Sequence, residues 1–207
     1  PAGMELLGSV ESHAVGCYTQ LYCRTGLGMR AVVLHREAPA VAGRCDVDGV
    51  QVMFVSAHLC PFPENAPERV KEVGQILAGQ QERHVVLMGD LNVRREEVKP
   101  LCEEHGHRAM HCGAATWNAR VNKFYEDQQN RRDTQEFDQI LSSGSLWVEG
   151  HIVCACREYR GGKKFFLSDH FALLGLLDVH ASYGTAGGGV SAVADKRREV
   201  LGALRMQ

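Results

Sequence analysis

Apolar residues along the chain cluster in short, strand-length runs separated by polar turns, and in one stretch they recur at helical spacing instead. The runs MRAVVLH (29 to 35) and VQVMFVSAH (50 to 58) predict two strands that pair antiparallel, with Asp48-Gly49 in the intervening DVDG as the hairpin turn. In CPFPENAPERVKEVGQIL (60 to 77), Val70, Val73, Ile76 and Leu77 share one helical face, Asn65 is placed to cap and Pro67 stands in the first turn, so a helix is predicted. HVVLMG (84 to 89) is continuously apolar, the pattern of a strand covered on both faces. REEVKPLCEEHGH (95 to 107) predicts a short helix interrupted by Pro100. The polar segment from Ala114 to Gln135 has no clear period. EFDQILSS (136 to 143), WVEGHIVCAC (147 to 156) and FALLGLLDVH (171 to 180) predict the last strands. Residues 1 to 181 therefore read as one domain, 182 to 194 as a Gly/Ser-rich linker, and 195 to 207, DKRREVLGALRMQ, as a helical extension.

Composition narrows the class. A chain of 207 residues, 44% hydrophobic and 23% charged, can bury a sizeable core and is not a disordered tail. No window reaches the roughly eighteen uncharged apolar residues of a membrane span, and PAGMELLGSV has neither the basic start nor the apolar centre of a signal peptide. The expectation is an intracellular protein, nuclear or cytoplasmic, and not a secreted one. Its 8 cysteines include no CxxC pair, which removes zinc-ribbon spacing and favours reduced core thiols. A net charge of −2 argues against coating nucleic acid by bulk electrostatics, but leaves room for a small basic site.

The chemistry begins where HVVLMGDLNV stops being apolar. Asp90 and Asn92 are two residues apart, so on a strand both would point the same way as the chain leaves the sheet, where sites in open sheets are built. The same Gly-Asp-x-Asn also makes an ordinary turn or helix cap. Its company favours a site. SAHL ends another β-rich run at His58, EFDQIL puts Asp138 inside an apolar strand, and LSDHFALLG sets Asp169 and His170 just before the last strand. A carboxylate within an apolar strand needs a partner, and a histidine that Asp138 orients is the natural one. Taken singly, His58 reads equally as a structural histidine, Asp169 as a cap and Asp138 as a loop anchor.

In this order SxHL, GDxN, FDxI and SDH resemble the endonuclease/exonuclease/phosphatase superfamily over about residues 3 to 180. PERVKEVGQIL, GDLNVRREEV, TWN and RRDTQEFDQIL most resemble its tyrosyl-DNA phosphodiesterase 2 branch, whose members hydrolyse the 5′-phosphotyrosyl bond left by topoisomerase II. The resemblance implies an α+β fold, a four-layer α/β/β/α sandwich of two mainly antiparallel or mixed sheets. It also implies one Mg²⁺ (or Mn²⁺) held by Asp90, Asn92 and Asp169, oxygen donors that suit a hard cation. Asp90 would position or deprotonate the attacking water and Asn92 would orient it or the phosphate. His170, held by Asp138, would supply positive charge, with His58 on the phosphate or the neighbouring carboxylate. Which group takes the proton stays open.

The same branch implies a phosphodiester substrate at DNA 5′ ends, bound by Arg94, Trp117 and Asn118, with no obligate protein partner. Trp117 fits a core aromatic as well as a stacking surface, and Arg94-Arg95 a solvated helix start as well as a phosphate contact. Arg131-Arg132 and Lys163-Lys164 could gather positive charge nearby. Two alternatives accompany this reading. One is the same chemistry on a nucleotide, sphingomyelin or an inositol phosphate; the other is a catalytically silent binding fold. The superfamily carries an Asn and a Gln-Glu pair on earlier strands, and that Glu is its principal metal ligand. PAGMELLGSVESHAVGCYTQ resembles the helix and strand that follow the pair, with Tyr18 in place, so the first strands are expected to be missing. Glu5 and Glu11, placed on that helix, are no replacement, and weak Mg²⁺ binding by residues 1 to 207 is expected.

Overall fold

The computed structural model describes residues 3–13, 16–34, 39–77, 83–110, 115–119, 134–143, 146–153, 157–160, 163–166, 168 and 170–179. The first half contains β1 (Met4–Glu11), β2 (Tyr18–Arg24), β3 (Arg30–Val32), β4 (Ala40–Val47), β5 (Val50–His58), α1 (Ala66–Leu77) and β6 (Val85–Asp90). The second contains α2 (Arg95–His105), β7 (His107–Met110), β8 (Trp117–Asn118), β9 (Thr134–Gln135), β10 (Asp138–Ser143), β11 (Trp147–Val153), β12 (Arg157–Arg160), β13 (Lys163–Phe166) and β14 (Ala172–Asp178). The proposed linker and helical extension, 182 to 207, lie outside the described residues.

A central sheet of 6 strands runs in the order β3-β4-β5-β6-β10-β7, and all its pairs are antiparallel except β5 with β6. Strand alternation divides its apolar residues between two cores. Met53, Val55, Ala57, Val85, Leu87 and Leu141 turn to one face, where Val73 and Ile76 of α1 and Val98 and Leu101 of α2 cover them. Val52, Val86 and Ile140 turn to the other, against Val148 of β11 and Leu173 and Leu177 of β14. The unbroken apolar run of β6 follows from this double covering. On that second face the β1–β2 hairpin also packs over β4, fitted by missing side chains: a Cβ on Gly8 would lie 2.6 Å from Val41, and one on Gly43 would lie 2.9 Å from Leu7. A central sheet covered by helices on one face and by the two-stranded β1–β2 and β11–β14 ladders on the other agrees with the expected sheet sandwich, and among the described residues the outer helix layer stands on one side only. Among the described residues no helix is long and apolar enough to cross a membrane.

Several local expectations change. The Asp48-Gly49 turn is present, with both residues at positive φ (51° and 83°), but the strand it joins to β5 is β4, not the run at 29 to 35. That run shortens to β3, at the edge beyond β4. AVAGRCDV gave little signal because its inward positions are small: Ala40 and Ala42 lie against the helices, and Gly43 and Cys45 face the other layer. Residues 4 to 11 form a strand rather than a helix, antiparallel to β2, whose alternating buried Thr19, Leu21 and Cys23 require a partner. Glu5 on it accepts the Cys23 thiol at 3.1 Å. Asn65 precedes α1 but does not cap it; its amide donates to the Pro61 carbonyl at 2.6 Å. Pro100 does not interrupt α2, which continues to His105 and closes at Gly106 in the left-handed conformation. Burial of Val98, Leu101 and Cys102 offsets the one backbone bond a proline removes. The described cysteines, 17, 23, 45, 60 and 102, are all free, and burial raises the Cys23 thiol to about 11.

Candidate active site

Register builds the site. Parallel pairing sets His58 of β5 beside Asp90 of β6, and antiparallel pairing sets Asp138 of β10 on the other side of Asp90. Three residues far apart in sequence thus stand abreast at one end of the sheet. A fourth joins from outside: His170 makes a single β-bridge with Trp117, and its Nδ1–H donates to Asp138 Oδ2 at 2.7 Å. A carboxylate can only accept, so the proton sits on Nδ1 and the ring turns Nε2 toward Asp90. Asp90 Oδ2 lies 3.7 Å from His58 Nε2 and 3.8 Å from His170 Nε2. Thr116 supports the arrangement, its hydroxyl accepting the Asp138 N–H at 3.0 Å and its carbonyl the Phe171 N–H at 2.7 Å.

Burial raises the Asp90 carboxyl above the ordinary range; His170 pulls it down, Asp138 pushes it up, and His58 and the Asn92 N–H pull it down again, with a net rise. A carboxyl whose folded pKa is raised stabilises the fold while it is protonated, and that contribution is lost as pH rises through the folded value. In metal-free protein, Asp90→Asn should therefore raise the melting temperature at neutral pH. The gain should shrink on acidification and vanish where Asp90 itself is protonated. Melting curves of both proteins in EDTA across pH check this; an unchanged or lower melting temperature for the variant at neutral pH would show that Asp90 is not strained by burial.

The turn after β6 places the next groups. Asn92 is buried at φ 52°, its N–H on Asp90 Oδ1 (3.2 Å) and its Nδ2 donating to the Leu59 carbonyl (3.1 Å). That bond fixes the amide, so Oδ1 is the end left for a cation, water or phosphate. Arg94 donates to the Asn92 carbonyl, and its guanidinium lies 4.7 Å over the Phe137 ring. Burial, with Arg69 nearby, lowers its pKa from the usual arginine value. Phe137 has its ring 6.0 Å from Trp117 and 6.2 Å from His170. Trp117 is 9% exposed, and Asn118 pairs with Thr134 in the β8–β9 ladder.

The structure thus brings together His58, Asp90, Asn92, Asp138 and His170, with Arg94 and Trp117 linked to them through Phe137. Asp169 and Arg131-Arg132 lie outside the described residues, and Lys163 and Lys164 lie on β13. Sequence reasoning missed Phe137 and Thr116, although an aromatic next to a lone strand carboxylate was a usable signal. It also missed Arg69, 1% exposed, which binds Glu97 through Nε (2.9 Å) and Nη2 (2.7 Å) and the Cys60 and Phe62 carbonyls through Nη1 (3.0 and 2.7 Å). This paired buried charge clamps the segment after His58 to the start of α2.

No family model matches the sequence, and no curated protein does. Solved structures do. Truncated Caenorhabditis elegans TDP2 superposes with a TM-score of 0.57 at 22% identity, over 82% of this chain and 72% of that one. A mannosyl-6-phosphatase of Bacteroides thetaiotaomicron gives 0.57 at 16%, over 86% and 78%. The inositol polyphosphate 5-phosphatase domain of a synaptojanin, in complex with inositol (1,4)-bisphosphate and calcium ion, gives 0.52 at 20%, over 84% and 63%. Against another C. elegans TDP2 structure the chain spans 56% of that chain, little more than half its length. These are proteins of the endonuclease/exonuclease/phosphatase fold, and this chain has that fold.

Proposed function

We propose that the chain is a phosphoester hydrolase that uses a divalent cation, Mg²⁺ or Mn²⁺, and cleaves phosphodiesters at DNA 5′ ends. The observation that carries this reading is the row His58–Asp90–Asp138 with His170 locked onto it. Two imidazole Nε2 atoms flank one carboxylate oxygen, so a phosphate seated there meets a ring on each side, and each ring donates to it through Nε2–H when it is the imidazolium. His170, its Nδ1–H held by Asp138, acts here as the imidazolium, whose Nε2–H donates to and carries charge beside the phosphate oxygens, where negative charge develops in transfer. Asp90 accepts the proton of an attacking water or holds that water in line. Asn92 adds a neutral oxygen from a fixed amide.

Asp90 and the Asn92 Oδ1 are hard oxygen donors and fit a hard divalent cation, for which Asp169 is the further proposed ligand. When bound, such a cation supplies Lewis-acid stabilisation of phosphate charge. The preference for DNA ends rests on Arg94 over Phe137, a cationic and aromatic flank of the kind that holds single-stranded nucleic acid, with Trp117 buried behind Phe137 as a core aromatic. The phosphatases among the similar structures favour a second reading, a small phosphate monoester.

A substrate panel with Mg²⁺ and with Mn²⁺ separates the readings: a 5′-phosphotyrosyl oligonucleotide, an inositol polyphosphate and a sugar 6-phosphate. Turnover greatest on the oligonucleotide is expected. Turnover confined to the small esters would overturn the DNA reading and keep the hydrolase, and turnover on none would leave a silent binding fold.

A further inference from the structure

Near the site, but outside the row just described, three side chains from separate elements converge. His13 stands in the turn between β1 and β2, Cys60 follows β5, and Glu72 lies on α1; their ligand atoms all fall within 4.8 Å of one another. We propose that His13, Cys60 and Glu72 bind one zinc-class cation, distinct from the hard-cation donors at Asp90 and Asn92.

The donor set chooses the metal. An imidazole nitrogen, a thiolate sulfur and a carboxylate oxygen suit Zn²⁺ or Co²⁺, whereas Mg²⁺ takes oxygen and keeps its waters. Glu72 is already aimed. Its side chain is 5% exposed, Oε2 accepts the Cys60 N–H at 2.8 Å, and Oε1 faces His13 Nε2 at 2.6 Å. One carboxylate oxygen is thus fixed by the backbone of a neighbouring ligand while the other is presented, the kind of support that orients metal ligands.

In the cation-free chain His13 Nε2 and Glu72 Oε1 face each other directly. The cation takes the place of any proton between them, which moves to Nδ1 of a neutral His13 or to water, and Cys60 binds as thiolate after releasing its proton to water. Three protein ligands leave a fourth position for water or an anionic oxygen. The bound cation ties the β1–β2 turn to the segment after β5 and to α1. His13 meets His58 edge to face, with ring centroids 6.5 Å apart, so occupancy also fixes the neighbour of a site histidine.

The test is titration of the 207-residue chain with Co²⁺ in excess Mg²⁺, followed by optical absorption, with Zn²⁺ affinity measured by competition. One equivalent of Co²⁺ should bind with a thiolate-to-cobalt charge-transfer band that Zn²⁺ abolishes and Mg²⁺ does not. Cys60→Ser should remove the band, His13→Gln should weaken Zn²⁺ binding about tenfold or more, and Cys102→Ser, on α2, should change neither. His13 and Cys60 are partly open to solvent, and circular dichroism would verify that each variant is folded. Absence of the band, its survival in Cys60→Ser, its displacement by Mg²⁺, or unchanged affinity in His13→Gln would each overturn the site and leave a plain His13–Glu72 ion pair. These readouts do not depend on hydrolysis, so they stand or fall apart from the proposed activity.

Discussion

His170→Gln and Asp138→Asn should each lower phosphoester turnover by about 10² to 10³, the cost of losing one main electrostatic or acid–base element. The two act as a unit. Asp138 accepts from Nδ1 at 2.7 Å and so decides which nitrogen of His170 faces Asp90. An asparagine there offers both a donor and an acceptor, and the imidazole loses its enforced tautomer. The double variant should therefore be little worse than either single one, as for residues that work through each other. Steady-state kinetics on the best substrate of the panel, beside melting curves to verify folding, would measure this. Turnover unchanged in either single variant would remove His170 from the chemistry; additive losses would mean that Asp138 has a separate role.

Gly89→Ala should destabilise the fold by about 3 kcal/mol or more, or prevent folding, because it combines backbone strain with overpacking. Gly89 has φ 134°, a conformation that side chains rarely adopt, and a Cβ would lie 2.1 Å from the Ala57 carbonyl oxygen. That oxygen belongs to the backbone of β5, so it cannot swing aside as a flexible side chain would. Gly89 is also in register with Ala57 and Gln139, one step before the row of His58, Asp90 and Asp138. Any adjustment that admits the methyl group shifts the site with it. Urea unfolding of the variant reads the effect, and a loss under about 0.5 kcal/mol, within the ordinary surface range, would show that β5 and β6 are less closely apposed than described.

The sequence carried the central strands well because their apolar residues are large. Val85 to Met88, and Ile140 with Leu141, sit between two cores, so their runs show plainly. The site was legible for the complementary reason: Asp90 and Asp138 break such runs at positions where a charge needs a purpose. β4 was not legible, since its inward residues are Ala40 and Ala42 and hydrophobic patterning detects bulk. β1 was misread because MELLGSVE has no clean alternation, and its partner β2 lies beyond a turn. Contacts between distant residues had no local signature. Arg69 and Glu97 are 28 residues apart, and neither announces in sequence that it is buried against the other.

The mixed direction of the central sheet divides its two ends. Because β5 and β6 run parallel while β10 runs against them, the chain exits two strands and enters the third at the same edge. At the opposite end β4 turns into β5 at Asp48-Gly49, where Asp46 Oδ1 accepts the Gly49 N–H at 2.7 Å. At a rise of about 3.3 Å per residue, the nine residues of β5 hold that turn some two and a half nanometres from His58. Loop length and composition at this turn can drift, or accept a grafted peptide or label, without the end that carries His58, Asp90 and Asp138 sensing the change.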